Sequence, residues 1–441
     1  MARRRRALSD PEIVAALDIG RSKVACVIAA PPAVPASADE GTALRVVGVG
    51  QYGAGSLSTN DEVEQAIRAA VEAAERMAGT RLQSVYVSAR GRSVSCQLIG
   101  VDLEMAGGCV TADDVVDSIS AGTEAISARS GMPLHTMPAR YKLDRDVVAD
   151  PIGMIGQTLT TEVIGLSAKP HYVANMEALL GRCALSLRGA IAAPLAVAQA
   201  VLLPDEKDLG AIVIDMGART TDYAVYDRGH LIHCGAIALG GDHITRDVAQ
   251  VFSAPIAAAE RIKTLYGSAV SSAGDENRLV DVPQLGAPGE VARYSRSEIA
   301  AVIHSRLEEI YKLTLEAVVR SGRGERALKR AVLTGGGSLL VGAREVAEDV
   351  FKVKARLGRP RLVPGAPEAA SAPQYSVCIG MIERDVINSC LNQRSSSRRR
   401  RAVSGPLHGV SVKGSEQNGI VRVLRSPRIV RQVGSWLKAN F

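Results

Sequence analysis

Two Asp-x-Gly triplets carry the residue types that could hold a phosphate. Asp18-Ile-Gly20 follows the apolar run Val14–Leu17 and leads through Arg21, Ser22 and Lys23 into a second apolar run, Val24–Ile28. Asp215-Met-Gly217 follows Ala211–Ile214 and leads through Ala218, Arg219, Thr220 and Thr221 to Asp222 and the run Tyr223–Tyr226. Glycine lets backbone N–H groups approach phosphate oxygens closely, in dihedrals closed to other residues. A carboxylate at the end of each strand, Asp18 and Asp215, can hold Mg²⁺ through its waters, because that ion dehydrates reluctantly. Ser22, Thr220 and Thr221 offer hydroxyls and Lys23 a point charge. A third turn, Thr334-Gly335-Gly336-Gly337, lies between the strand Ala331–Leu333 and the helical run Ala343–Val350. It could offer a helix N-terminus to a phosphate or its turn to the adenosine. One such triplet is most often an ordinary hairpin. Two of them, with the glycine turn, point to a duplicated α/β architecture around a nucleotide.

The elements needed to position these groups are legible around them. Val63, Ile67, Val71, Ala74 and Met77 recur at helical spacing over 61–78, with Asn60 as a cap and Gly79 as a stop. A strand is expected at Leu44–Val49 after a Pro/Ala/Gly loop at 31–42. The chain has 441 residues, enough for about three domains or subdomains, and only 3% are aromatic, so aliphatic residues must build the core. No apolar run is long enough to span a bilayer. Seven scattered cysteines form no CxxC pair and are read as reduced thiols, and the histidines show no metal-ligand spacing with them. The net charge of +7 hides an asymmetry: residues 394–441 carry +10 and Arg3–Arg6 carry +4, which leaves 7–393 at −7. An acidic body with basic ends is not the pattern of a basic nucleic-acid-binding domain.

The order Asp18-x-Gly20, Asp215-x-Gly217, Leu333-Thr-Gly-Gly-Gly337 resembles the actin, Hsp70 and sugar-kinase superfamily. Within it the chain is most similar to the FtsA family of bacterial cell-division proteins. The residues that carry this likeness are Ala16–Val24, Ser84-Val-Tyr-Val-Ser88 with Gly91 and Ser95-Cys-Gln97, Leu239-Gly240-Gly241-Asp-His-Ile-Thr245, and Gly434-Ser-Trp-Leu437. The resemblance implies an actin-like, duplicated ribonuclease-H-like α/β fold whose cleft takes ATP and Mg²⁺. It implies subdomain 1A at 11–80, 167–207 and 373–393, 1C at 81–166, 2A at 208–242 and 331–372, and 2B at 243–330, with a basic arm at 1–10. Gly240 and Gly241 join the phosphate-facing set. Glu260 and Lys263 are either the acid and base that meet ribose and adenine or a solvated helix face. Arg306 is either an ordinary surface arginine or part of the 2B surface that receives the acidic carboxy-terminal peptide of FtsZ.

The family implies self-association into actin-like filaments, anchoring of FtsZ filaments, recruitment of other division proteins, and a peripheral place on the cytoplasmic face of the inner membrane at the septum. Two positions depart from the pattern. Ala218 and Arg219 replace glycines of the second phosphate motif, and Arg219 could either fill the phosphate space or reach around to neutralise it. Ala193 stands where many superfamily members have a Glu that orients the attacking water, so hydrolysis is expected to be slow or absent. The sequence supplies no sugar pocket for a kinase and no substrate domain for a chaperone.

The end of the chain has its own logic. Residues 394–427 read as a basic, disordered linker. From Arg428 to Phe441 a helix would place Ile429, Val430, Val433, Trp436, Leu437 and Phe441 within an arc of roughly 140°, with Arg428, Arg431 and Lys438 opposite. That is the pattern of a helix lying in an anionic membrane surface. The alternatives are docking back on the body, or nucleic-acid binding through Arg398–Arg401.

Overall fold

In a computed structural model of the chain, the described residues are 13–30, 45–53, 55, 57–105, 108–286, 289–324, 327–361 and 365–383, with backbone strands at 413–414 and 420–424. Strands Val14–Ile19 (β1) and Lys23–Ala30 (β2) form the first Asp-Gly hairpin, and Arg45–Gly53 (β3) follows β2. Helix Asn60–Ala78 (α1) leads to Ser84–Ala89 (β4), which runs parallel to β1. Val94–Glu104 (β5), Ala112–Ser130 (α2), Met132–Leu143 (β6), Asp146–Val148 (β7) and Thr158–Ala168 (β8) come next. Pro170–Arg182 (α3), Ser186–Ala192 (β9), Ala193–Val201 (α4) and Pro204–Leu209 (α5) precede the second hairpin, Ala211–Met216 (β10) and Thr221–Asp227 (β11). His230–Ile237 (β12), Gly241–Val251 (α6), Ile256–Tyr266 (α7), Leu279–Pro283 (β13), Val291–Ser295 (β14) and Arg296–Arg320 (α8) follow. Arg330–Thr334 (β15), Ala343–Phe351 (α9), Lys354–Leu357 (β16), Ser376–Met381 (α10), Lys413–Gly414 (β17) and Ile420–Leu424 (β18) complete the series.

Two five-stranded sheets have the same plan. Their orders are β3-β2-β1-β4-β9 and β12-β11-β10-β15-β16. In each, three antiparallel strands are extended by two parallel ones. This is the duplicated ribonuclease-H-like topology expected of an actin-like fold. Strands β1, β2, β10 and β11 are buried almost throughout, which explains why they read as continuous apolar runs. Side chains on the two sheets fill separate cores. Leu17, Ile28 and Ile67 belong to the first, and Ile214, Val225, Ile303 and Leu333 to the second.

Helix α1 lies hard against β3 because Gly48 and Gly50 have no side chains. A Cβ on Gly50 would fall 1.9 Å from the Ala70 carbonyl oxygen. The cap of α1 differs from the expectation by one residue. Thr59, not Asn60, accepts from the Glu62 N–H while the Glu62 carboxylate takes the Thr59 N–H, and Gly79 closes the helix at φ 67°. The reciprocal box satisfies two orphan N–H groups, which Asn60 inside the first turn could not do.

The chain divides into two compact units, Met1–Val94 with Pro170–Leu391, and Ser95–Lys169 with Asn392–Phe441. The second begins later than the expected 81, because β4 belongs to the first sheet through its pairing with β1. Its sheet runs β17-β18-β5-β8-β6-β7 over a core of Ile99, Val101, Ile126, Leu159 and Val163. Within the expected linker at 394–427, two short backbone segments are strands. Ile420–Leu424 runs parallel to Gly100–Glu104 of β5 as a strand. The segment Ile420-Val-Arg-Val-Leu424 is a short β-branched run. The charge and polarity of its surroundings obscured it.

Candidate nucleotide site

The first unit holds a cavity of about 470 Å³ lined by both Asp-Gly hairpins, the glycine turn and helix α7. The hairpins are built alike. The Gly20 N–H donates to the Lys23 carbonyl at 2.9 Å, and the Gly217 N–H donates to the Thr220 carbonyl at 2.9 Å. Asp18 and Asp215 lie near the ends of β1 and β10, the middle strands of their two sheets, are buried, and face the cavity. Burial first of all pushes the Asp215 carboxyl up to about 6, against the pull of Arg90. The Ser88 hydroxyl donates to Asp18 Oδ1 at 2.6 Å.

Gly335 allows the third turn to close on the second hairpin. Its φ is +81°, and a Cβ there would fall 2.2 Å from Asp215 Oδ1. Gly336 meets nothing within 4 Å and opens on the cavity. A 3₁₀ turn, Gly336–Leu339, stands here, and α9 begins only at Ala343. The turn itself therefore lines the cavity, one of the two arrangements expected for it. Gly240 and Gly241 staple α6 to the second hairpin. The N–H groups of Gly241 and Asp242 donate to the carbonyls of Gly217 and Ala218 at 3.0 and 2.7 Å. A Cβ on Gly240 would sit 2.5 Å from the Gly217 carbonyl oxygen.

Of the residues picked from the sequence, Asp18, Gly20, Ser22, Lys23, Asp215, Gly217, Gly241, Glu260, Lys263 and Gly335–Gly337 line this one cavity. Lys23 is held by the Gln374 carbonyl at 2.8 Å, and burial lowers its pKa. Lys263 Nζ donates to Glu260 at 2.6 Å, to Thr245 at 2.8 Å and to the Gly241 carbonyl at 3.2 Å. That places an acid and a base on the wall, as the cleft reading of Glu260 and Lys263 requires. Three residues fall behind the wall. Thr220 packs on Gly91, Thr221 donates to the Leu239 carbonyl at 2.9 Å, and Gly240 serves the contact just described. The Thr220 hydroxyl lies 3.5 Å from Asp222 Oδ2, and neither threonine lines the cavity.

Arg219 lies beside the first turn of α6. Its Nε lies 3.5 Å from Asp242 Oδ2, and Ala218, not Arg219, lines the cavity. The arginine braces the start of α6. Ala193 is fully buried at the start of α4, away from the cavity wall. Arg306 on α8 is already paired. Its Nη2 donates to Asp247 Oδ1 at 3.0 Å, and it also meets Glu309. The expected membrane residues Ile429, Val430, Val433, Trp436, Leu437 and Phe441 lie outside the described residues.

Sequence reasoning missed Arg90, which directly follows β4 and reaches between the two carboxylates. Its Nη2 is 3.2 Å from Asp215 Oδ2 and 3.5 Å from Asp18 Oδ1. The signal available was an arginine beside a glycine at the end of a strand parallel to β1. This arginine decides whether Mg²⁺ fits. Among the described residues no group of three or more His, Cys, Asp or Glu gathers as metal donors. The two carboxylates that could hold the ion's waters are engaged by a guanidinium. As arranged, they do not fit a hydrated divalent ion between them.

Comparison with known proteins turns this geometry into an identity. Residues 212–380 match the family model described as cell division protein FtsA, and 91–166 match that of the SHS2 domain inserted in FtsA. The FtsA of Rhizobium meliloti is 33% identical over 381 residues, covering 84% of this chain and 86% of that protein. The FtsA of Neisseria meningitidis is 34% identical over 380 residues, covering 84% and 89%. The chain belongs to the FtsA family of cell-division proteins. The FtsA of Escherichia coli is 28% identical over 448 residues, covering 98% of this chain and 97% of that one. A PilM–PilN pilus-biogenesis complex chain superposes with a TM-score of 0.57 at 16% identity, covering 86% of this chain and 98% of that one, which is a likeness of fold. The SHS2 match falls within the second unit apart from its first residues, and the match at 212–380 begins in β10. Of the two residues after Gly217, Ala218 lines the cavity and Arg219 does not.

Proposed function

We propose that this FtsA-family protein binds ATP in the cavity of its first unit and links FtsZ filaments to the inner membrane. The observation that carries the nucleotide reading is the convergence of both Asp-Gly hairpins, the glycine turn and the Glu260–Lys263 pair on one cavity. The phosphates lie between Gly20 and Gly217, and the nucleoside lies toward Glu260, Lys263 and Gly336. Ala193 offers no group to align water, so hydrolysis is slow, below about one per second, the low end of enzyme turnover.

The tail supports the membrane half of the reading. Each basic residue near an anionic surface contributes about 1 kcal/mol. A single tail must still be ordered from the coil, because a helix of this length is marginal alone, so it binds weakly. A filament of self-associated copies binds through many tails at once. The acidic FtsZ peptide engages the 2B surface around Arg306 by exchanging with Asp247. The test is co-sedimentation with anionic vesicles, with and without FtsZ filaments. The full chain pellets and brings FtsZ with it, and Trp436 fluorescence shifts to the blue. Removing 428–441, or Trp436→Glu, releases both proteins to the supernatant. A truncated chain that still pellets with vesicles would transfer the anchor to Arg398–Arg401, and pelleting with DNA instead would replace the membrane reading.

A further inference from the structure

Arg90 occupies a position for which the nucleotide reading has no assigned role. Its guanidinium lies between the hairpins, where the phosphates would pass. Nη1 is 3.7 Å from a Cβ built on Gly20 and 3.9 Å from one built on Gly217, while Nη2 faces Asp215 and Asp18. The group therefore sits between the two hairpins, within reach of both glycines and both carboxylates.

Its stem is fixed. The next residue, Gly91, has φ +62°, donates its N–H to Asp222 Oδ1 at 2.8 Å, and leaves only 3.2 Å between an added Cβ and Thr220. The side chain is 19% exposed and lines the cavity. Its Nε–H is buried without an acceptor. A buried donor left unmade is costly, and an incoming oxygen would satisfy it.

The charges explain why a cation is needed there. Asp18, Asp215 and Asp222 cluster at the ends of β1, β10 and β11, with the cations Lys23 and Arg90 beside them. A polyphosphate approaching bare carboxylates needs a positive charge between, and a divalent ion usually supplies it. An arginine keeps its charge at every pH the protein meets, and its planar fork can serve carboxylate and phosphate together.

We infer that Arg90 is a built-in cation of this nucleotide site, standing between Asp18 and Asp215 in place of a divalent ion and touching the terminal phosphates of ATP, so that binding depends only weakly on Mg²⁺. The inference rests on the ATP reading of the cavity. Removing Arg90 frees both carboxylates to hold a hydrated ion, so the same substitution should convert the site to an ordinary magnesium-dependent one.

The experiment is equilibrium binding of ATP to the full chain, by calorimetry, with Mg²⁺ in excess and again with a chelator. The parent protein should lose less than about tenfold in affinity on chelation, against RT ln 10 for each tenfold step. Arg90→Met should lose about a hundredfold or more under the chelator and recover most of it with Mg²⁺. Arg90→Lys, a point charge without the fork, should fall between. If the parent loses a hundredfold on chelation, the inference is overturned whatever the variants do. An Arg90→Met protein whose magnesium dependence equals the parent's overturns it too. Should no form bind ATP even with Mg²⁺, the nucleotide reading itself fails, an outcome distinct from the other two. The parent measurement decides the matter alone if Arg90→Met does not fold.

Discussion

Alanine at two adjacent glycines separates what holds the site from what lines it. Gly335 has φ +81° and ψ 169°, a region open essentially to glycine, and another residue there costs about 1–3 kcal/mol. The added methyl would also lie 2.2 Å from Asp215 Oδ1 and 2.7 Å from the Met216 carbonyl oxygen. Those atoms belong to a buried strand, so relief by movement costs about another 1–3 kcal/mol. Gly335→Ala should thus destabilise the first unit by roughly 2–6 kcal/mol, a large share of the typical total for a domain. Gly336 is next in the chain, yet nothing lies within 4 Å of its Cβ position. Its alanine variant should stay within about 0.5 kcal/mol of the parent. The methyl nevertheless projects from the cavity wall, so ATP affinity should drop by about tenfold, or 1.4 kcal/mol. Urea unfolding followed by circular dichroism, with calorimetric titration of ATP, reads both quantities. Equal unfolding midpoints for Gly335→Ala and the parent would refute the strain argument. A Gly336→Ala protein that binds ATP as the parent does would remove that turn from the site.

His135 is fully buried in the second unit, and burial lowers its pKa from 6.5 to about 4. The unfolded chain takes up a proton below pH 6.5 that the folded one refuses until about pH 4, so stability present above pH 6.5 is lost as the pH falls through that window, by up to about 3 kcal/mol. Urea unfolding of the parent should weaken from pH 7 to pH 5, and His135→Gln should flatten that slope. Asp247→Asn leaves the Arg306 guanidinium with Glu309 as its remaining carboxylate partner, so the acidic FtsZ peptide should bind about threefold or more tighter in a fluorescence-anisotropy titration, on the scale of surface ion pairs. Unchanged or weaker binding would take Arg306 out of the peptide surface. Proline at both Arg422 and Val423 removes two N–H groups from β18, and amide exchange along Gly100–Glu104 should then speed up by roughly tenfold, the worth of about one ladder hydrogen bond. Unchanged exchange there would deny the pairing.

The nucleotide hairpins were readable because their signal is local. An apolar run, an Asp-x-Gly turn and a second apolar run define strand, turn and strand without reference to the rest of the chain, and β1–β2 and β10–β11 appear where those runs lie. The glycine turn at Gly335 was readable for the same reason. What stayed hidden depends on contacts between distant segments. Thr221 looks like a phosphate ligand in sequence, but Leu239, eighteen residues later, takes its hydroxyl. Nothing in the sequence around Arg306 shows that α6 brings Asp247 beside it. Arg90 sits in a stretch that reads as an entry to the second unit, and only the parallel pairing of β4 with β1 carries it to the carboxylates. Strand β18 was lost in a basic, polar background because its partner β5 lies more than three hundred residues earlier.

The claim at the centre of this account is that the cavity of the first unit is a nucleotide site. Calorimetric titration of the full chain with ATP, in excess Mg²⁺, tests it most directly. The account predicts saturable binding with one ATP per chain, weakened about tenfold by Gly336→Ala while folding is unchanged. A folded protein that shows no binding at millimolar ATP would contradict it.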